Sequence, residues 1–195
     1  MAGRGRGGPD AARAAVARER RLHAEQVRAH RFVAGWGPKR SATTVPAPLR
    51  HWEYRPPGPV AVAFTLALVG VWLAFFGWGG GWPAVRDELP LALAAGAVVL
   101  LLNTSRTTVS DHGLSFDVAG TRGDPSRVVP LIQVREVRRG RPPEDWPAPQ
   151  RRGGWWPGRT RVAVLHRSDD GTADQALSVW VRDPGAFARA LGRPL

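Results

Sequence analysis

The stretch VAVAFTLALVGVWLAFFGW, Val60 to Trp78, runs for nineteen residues without a charged side chain. At about 1.5 Å per residue it makes roughly 28 Å of helix, close to the ~30 Å apolar core of a bilayer. A second uncharged run, LPLALAAGAVVLLL, occupies Leu89 to Leu102. Its fourteen residues reach only about 21 Å. Ala84 and Val85 before it, and Asn103, Thr104 and Ser105 after it, extend it toward a full span with its ends in the headgroup zone. The pair reads as a transmembrane helical hairpin with spans at about 60–78 and 84–105, joined by the polar break GGGWPAVRDE. In lipid the backbone must bond to itself, so each run is expected to be helical. The competing reading, core helices of a soluble domain, suits the short second run better than the first.

The flanks agree with a membrane. Trp52 and Tyr54 precede the first run, and Trp72, Trp78 and Trp82 lie at or near its far end, like two aromatic belts. Arg50, His51 and Arg55 flank the entry and Arg106 the exit, whereas the connection sets Arg86 against Asp87 and Glu88. This bias predicts a multi-pass cell-membrane protein with two spans and both termini cytoplasmic. Small residues also align: Ala63, Ala67, Gly70 and Ala74 on one face of the first helix, and Ala92, Ala95, Gly96 and Val99 on the second. Such rows let helices approach closely, although an alanine-rich composition produces them by chance as well.

The remainder of the 195 residues has room for a tail and one small folded domain. There is no cysteine, which excludes disulfide frameworks and thiolate sites. The first apolar run begins near residue 60, too late for a cleaved secretory signal, so it is expected to act as an uncleaved anchor. Net charge is +12, and Lys39 is the only lysine among 28 basic residues. That arginine, with abundant Ala, Gly and Pro, points to GC-rich coding. Residues 1–58 carry net +8 and residues 104–195 net +5. Both segments fall on the side expected to face anionic headgroups, where each basic group adds about 1 kcal/mol of attraction. Membrane lipids, anionic ones among them, are therefore the expected partners, with a protein partner as the other option. No nucleic-acid recognition motif accompanies the charge.

Along the chain, 1–58 reads as a basic, Pro/Gly-rich cytoplasmic arm with a helix over about 11–33, opened by Asp10 as its cap. The apolar face of that helix is thin: Val16, Leu22, Val27, Phe32 and alanines. It suits a solvated arm, a basic helix on the membrane surface, or an overextended gene start. Residues 35–59, with six prolines, read as an extended linker. After the second run the pattern alternates. Strands are expected at Thr107–Ser110, Leu114–Val118, Arg127–Val129, Gln133–Arg138, Arg161–His166 and Ala176–Val181. Asp111-His112-Gly113 reads as a turn with Gly113 at positive φ, and Ser168-Asp169-Asp170-Gly171 as another. Ala119–Ser126 reads as a loop, and 139–158 holds no regular element. Asp183 and Pro184 open a closing helix to about Leu191. The fold class is thus a membrane protein of α+β type: a hairpin at 59–105, then a small antiparallel β domain at 106–195 closed by a C-terminal helix.

Two spans, then Arg106-Thr107-Thr108-Val109, the turn Asp111-His112-Gly113-Leu114 and a strand ladder resemble small actinobacterial membrane proteins with a bacterial PH-like domain. Val179-Trp180-Val181-Arg182-Asp183-Pro184, with Phe187, Ala190 and Leu191, is similar to their closing strand and helix. The resemblance implies a bent sheet capped by a helix, seven strands where six are counted, and the missing one near Trp155–Pro157. It implies lipid, peptide or protein binding and no catalytic residue.

Chemistry is sparse. His23, His30, His51, His112 and His166 have no metal-ligand spacing, and His112 and His166 read as exposed turn and strand-end residues. Asp169, Asp170 and Asp174 lack the further oxygen ligands of a calcium loop. Ser115 and Ser178 have no His/Asp partner in view. No cofactor is implied. The Arg- and Trp-rich stretch stands out: Arg151, Arg152, Trp155, Trp156 and Arg159 form a candidate membrane-interface or partner-binding site. The alternative is that its tryptophans cover an open end of the sheet. The expected function is a non-enzymatic membrane protein presenting a PH-like domain to a lipid or protein. The alternatives are an accessory subunit of a transporter or envelope enzyme, and a nucleic-acid-binding module.

Overall fold

The computed structural model describes residues 9–33, 36–40, 49–118, 127–169 and 171–195. The elements run α1 (Pro9–Arg28), β1 (His30–Val33), β2 (Trp36–Arg40), β3 (His51–Arg55), α2 (Pro59–Leu102), β4 (Ser105–Val109), β5 (Gly113–Val118) and β6 (Val129–Pro130). A 3-10 turn, Leu131–Gln133, leads to β7 (Val134–Arg139), β8 (Gln150–Arg152), β9 (Thr160–Arg167), β10 (Asp174–Val181) and α3 (Pro184–Ala190). The chain divides into two compact units: the apolar helical segment, and an α+β unit built from the residues on either side of it.

The apolar segment is helical from Pro59 to Leu102 except at Gly81, whose φ of 66° and ψ of −163° break it. That conformation is essentially restricted to glycine. A straight helix of 44 residues would be about 66 Å long and would hold residues 65 and 96 about 46 Å apart. Instead, a Cβ on Gly96 would lie 3.0 Å from Val69 Cγ2 and 3.3 Å from Thr65 Cγ2. Trp72 Nε1 donates to Glu88 Oε2 at 3.2 Å. The arms 59–80 and 82–102 therefore fold back on one another, each about 31–33 Å long. Two sequence expectations change. The break between the helices shrinks to one residue, Gly81, while Arg86, Asp87 and Glu88 lie inside the second arm, as a helix from about 84 requires. The second helix ends at Leu102 rather than 105, and Ser105 already begins β4. Pro83 stands in the first turn after the break, where its missing N–H costs nothing.

The packing face of the first arm also differs from expectation. Ala63, Ala67, Gly70 and Ala74 are exposed, and a Cβ on Gly70 would meet nothing within 4 Å. The buried positions are Thr65 on the first arm and Ala92 and Gly96 on the second. Small residues of one arm thus receive larger ones of the other. Thr65 returns its hydroxyl to Ala61 O at 2.8 Å, which satisfies it within the helix.

The α+β unit holds two four-stranded sheets, ordered β3-β4-β5-β6 and β7-β9-β10-β8. In β9 and β10 the positions facing the apolar core alternate, Val162 and Val164 with Leu177, Val179 and Val181, while Ala163, Ala176 and Ser178 between them are buried on the other face. The core-facing residues join Val109 and Leu114 of the first sheet, Phe187 of α3 and Leu191 at its C-cap in one apolar core. Asp183 caps α3 by accepting from Ala186 N at 2.8 Å, as its place before Pro184 requires. Within 139–158, expected to lack regular structure, β8 pairs in parallel with β10. Trp155–Pro157 contains no strand; the strands beyond the six expected are β8 and, ahead of the apolar segment in the expected arm and linker, β1, β2 and β3. The expected loop 119–126 lies outside the described residues.

The N-terminal helix is a packed element rather than a solvated arm. It ends at Arg28, short of 33, and His23, Ala24 and Val27 are buried. The stripe reads as thin in sequence because histidine and alanine occupy its centre. Arg20 Nε donates to Val128 O at 3.1 Å. His23 Nδ1 lies 2.7 Å from Ser110 Oγ, which also accepts from His112 N at 3.1 Å. Gly113 has no positive φ. It is needed for space: a Cβ there would lie 2.7 Å from Val128 Cγ1 and 3.1 Å from Val129 O.

Candidate functional site

A cavity of about 480 Å³ opens into the α+β unit, within the ordinary range of small-ligand pockets. Arg20 reaches it from α1, Phe116 from β5, Arg127 from the approach to β6, Arg152 from β8 and His166 from the end of β9, with Asp169 in the turn beyond. Arg20 is held in place by Val128 O and by an ion pair with Asp169. The Arg152 guanidinium lies 5.9 Å from the centre of the Phe116 ring, where cation–π attraction orients it. Its Nη2 donates to Gln150 Oε1 at 3.1 Å.

His166 is buried, contrary to the exposure expected of it. Its Nδ1 sits 2.9 Å from Arg167 O, which fixes the proton on Nδ1. Burial holds the ring below the ordinary imidazole value. The Arg167 carbonyl and Asp169 oppose that shift, and the Arg20 and Arg152 charges add to it. Both guanidiniums are therefore close enough to be felt at one imidazole. Among the described residues the lining includes Arg20, Arg127, Arg152 and Asp169, the last paired with Arg20.

The Arg- and Trp-rich stretch does not act as one patch. Arg151 and Trp155 are exposed, Trp156 is half-buried, and Arg152 turns into the cavity. Arg159 is committed elsewhere: its Nη1 lies 2.8 Å from Glu53 Oε1, with both side chains largely buried. Both Glu53 oxygens also accept from Arg182 N at 3.0 Å. Burial works to raise the Glu53 carboxyl, but the His51 ring, the Arg182 amide and Arg159 together hold it below the ordinary carboxylate value. This cluster joins β3 to the end of β10 and is a structural clasp.

Other candidates resolve into local contacts. His112 Nδ1 meets Glu19 Oε2 at 2.9 Å and His30 Nδ1 meets Gln26 O at 2.7 Å. Asp174 pairs with Arg135 at 2.8 Å; Asp170 lies outside the described residues. Among the described residues no group of three His, Asp or Glu side chains is placed to hold a metal. The Ser110–His23 contact has nucleophile–base chemistry in principle, but both residues are fully buried, with no room for a substrate. Sequence reasoning missed Arg20, Arg127 and Glu53. Only the 16, 20, 24, 27 spacing on α1 hinted at a buried side. Comparisons with protein-family models, with curated proteins and with solved structures find no match.

Proposed function

We propose that this chain is an integral membrane protein: the two arms cross the bilayer, and the α+β unit is a non-enzymatic, PH-like binding module at the cytoplasmic leaflet. One observation carries the membrane reading. The segment is long and apolar enough to cross a membrane, yet only 6% of its most apolar stretch is buried. Val60, Phe64, Leu66, Val71, Phe75, Leu91 and Leu101 stand exposed. A core helix of a soluble protein hides such a surface, and lipid covers it without cost.

Connectivity supports an even number of crossings. β3 precedes the apolar segment and β4 follows it, and the two are neighbours in one sheet. A folded unit that receives both ends of the segment needs them in the same compartment. The excess of basic residues outside the segment favours the cytoplasmic one. The two sheets sharing one core that α3 closes support the PH-like reading, with β8, paired in parallel to β10, as an addition to it and the hairpin inserted between β3 and β4.

Reporter fusions at the N-terminus, beside Gly80 and at the C-terminus test this, together with alkaline carbonate extraction of membranes. Cytoplasmic signals at both termini, the opposite signal at Gly80 and retention in the pellet are expected. Release into the supernatant, or termini on opposite sides, refutes it.

A further inference from the structure

We infer that the exposed back of the second arm is a seam at which two copies of this chain associate inside the membrane, Arg86 of each pairing with the partner's Asp87. The inference rests on reading the two arms as crossing the bilayer and adds what the hairpin meets there.

Three features point to a second copy. The first is stranded charge. Arg86 and Asp87 follow the break at Gly81 by roughly 8–9 Å, on an arm whose length matches the ~30 Å hydrocarbon core. Both side chains are exposed, and no hydrogen bond or ion pair joins either to another described residue. They cannot pair with each other, because adjacent residues on a helix point apart. Charges at such depth pair with one another, and an aspartate is too short to reach the headgroups as an arginine does. The second feature is arrangement. Gly96 of this arm packs toward Thr65 and Val69 of the first. Pro90, Ala94, Ala97 and Leu101 fall on the opposite side, and all four are exposed. At roughly 100° per residue, Arg86 stands on one flank of that row and Asp87 on the other. Two copies inserted in the same direction are related by a two-fold axis along the membrane normal. That axis sets the arginine flank of each row beside the aspartate flank of its partner, at depths that differ by only about 1.5 Å. Both ion pairs form at once, and the interface closes on itself. The third feature is the backbone. Pro90 has no N–H to give the Arg86 carbonyl four residues earlier, so an acceptor joins the two charges on this face. Ala94 and Ala97 let the two helices approach closely. The exposed small row of the first arm, Ala63, Ala67, Gly70 and Ala74, carries no charge that would select a partner.

The chain has no cysteine, so a single introduced thiol reports alone. Full-length Ala94→Cys, Ala97→Cys and, on the first arm, Ala67→Cys are oxidised in isolated membranes and read on non-reducing gels. Disulfide-linked dimers are expected from Ala94→Cys and Ala97→Cys, and monomers from Ala67→Cys. In the Ala94→Cys background, Asp87→Arg and Arg86→Asp each set like charges together on both flanks, and each should lower the dimer fraction about tenfold or more. The exchange of both, Arg86→Asp with Asp87→Arg, should restore it. Differently tagged Asp87→Arg and Arg86→Asp chains expressed together should form the mixed dimer in preference to either self-dimer. Those two recoveries separate lost pairing from lost folding, because a chain that cannot fold recovers in neither. Equal crosslinking of Ala67→Cys, indifference to both single charge changes, or failure of both recoveries overturns the proposal. So does an adduct whose mass is not twice that of the chain, which would mark a different partner. Carbonate extraction of the same membranes keeps the two readings apart. Monomers retained in the pellet overturn the pairing alone, whereas release into the supernatant overturns the membrane reading with it.

Discussion

Glu53 and Arg159, 106 positions apart in sequence, form an ion pair of 2.8 Å with little of either side chain exposed. Glu53 precedes the apolar segment and Arg159 follows it, so the pair fastens β3 to the later part of the chain. Glu53→Gln leaves the Arg159 charge partly buried without its counterion. The expected loss is about 2–3 kcal/mol, below the ~3–5 kcal/mol for a fully buried pair because water retains some access. Arg159→Met, which removes the stranded charge, is expected to cost less in a Glu53→Gln background than alone; a double-mutant cycle by chemical denaturation measures the difference. The depressed Glu53 carboxyl also adds a pH dependence. The unfolded chain takes up the proton more readily, so this stabilisation is full at neutral pH and is lost as pH falls through the carboxylate range. Glu53→Gln removes that part of the acid sensitivity.

His23 gives a second, separable acid response. Burial, with the neighbouring His112, lowers its pKa from 6.5 to about 4. Below pH 6.5 the unfolded chain binds a proton that the folded one refuses until about pH 4. Stability from this site is therefore present above pH 6.5, drains away between 6.5 and 4, and is lost below; the total is roughly 3 kcal/mol at ~1.4 kcal/mol per pH unit. Because His23 ties α1 to Ser110, amide exchange in α1 should accelerate over that window. His23→Leu should flatten the response. Unchanged α1 protection from pH 7 to 4 would contradict this account of the docking.

Gly113 lets α1, β5 and β6 meet. A methyl group there approaches Val128 Cγ1 at 2.7 Å, Val129 O at 3.1 Å and His23 Cγ at 3.4 Å. A backbone oxygen cannot rotate away, so Gly113→Ala is expected to cost about 1–3 kcal/mol, the usual range for overpacking. Gly140→Ala, with nothing near its Cβ but a φ of 98°, tests backbone strain without the clash. Thermal melts of the two variants separate the two uses of glycine in one unit.

Legibility in the sequence followed the length of the signal. Two long uncharged runs disclosed the helical arms, period-two apolar spacing disclosed β9 and β10, and Asp183-Pro184 disclosed the start of α3. Short or mixed signals did not carry through. β3, His51–Arg55, lies among prolines and alternates too briefly to register, yet it supplies Glu53 to the clasp. The buried stripe of α1 hides behind His23 and Ala24. The cavity was invisible because Arg20, Arg127 and Arg152 come from three elements whose meeting depends on tertiary structure. Arg152 and Arg159 look alike in sequence, but one lines the cavity and the other neutralises a buried carboxylate.

Alanine and glycine recur every three or four residues on both arms, and that spacing alone cannot say which row meets the partner. The contacts can. A Cβ on Gly96 would lie 3.0 Å from Val69 and 3.3 Å from Thr65, while one on Gly70 would meet nothing within 4 Å. Gly96→Leu should force the arms apart, whereas Gly70→Leu should leave them in place. Two spectroscopic labels report this directly: with one at Val60 and one at Leu101, in protein reconstituted into vesicles, the label separation should grow in Gly96→Leu and stay put in Gly70→Leu. Gly81→Ala is the companion variant, since it strains the turn, by about 1–3 kcal/mol, without touching the contact face. If the small row of the first arm were the packing face, Gly70→Leu would be the disruptive change. The order of these two substitutions therefore decides which side of the first arm faces the second and which is left exposed.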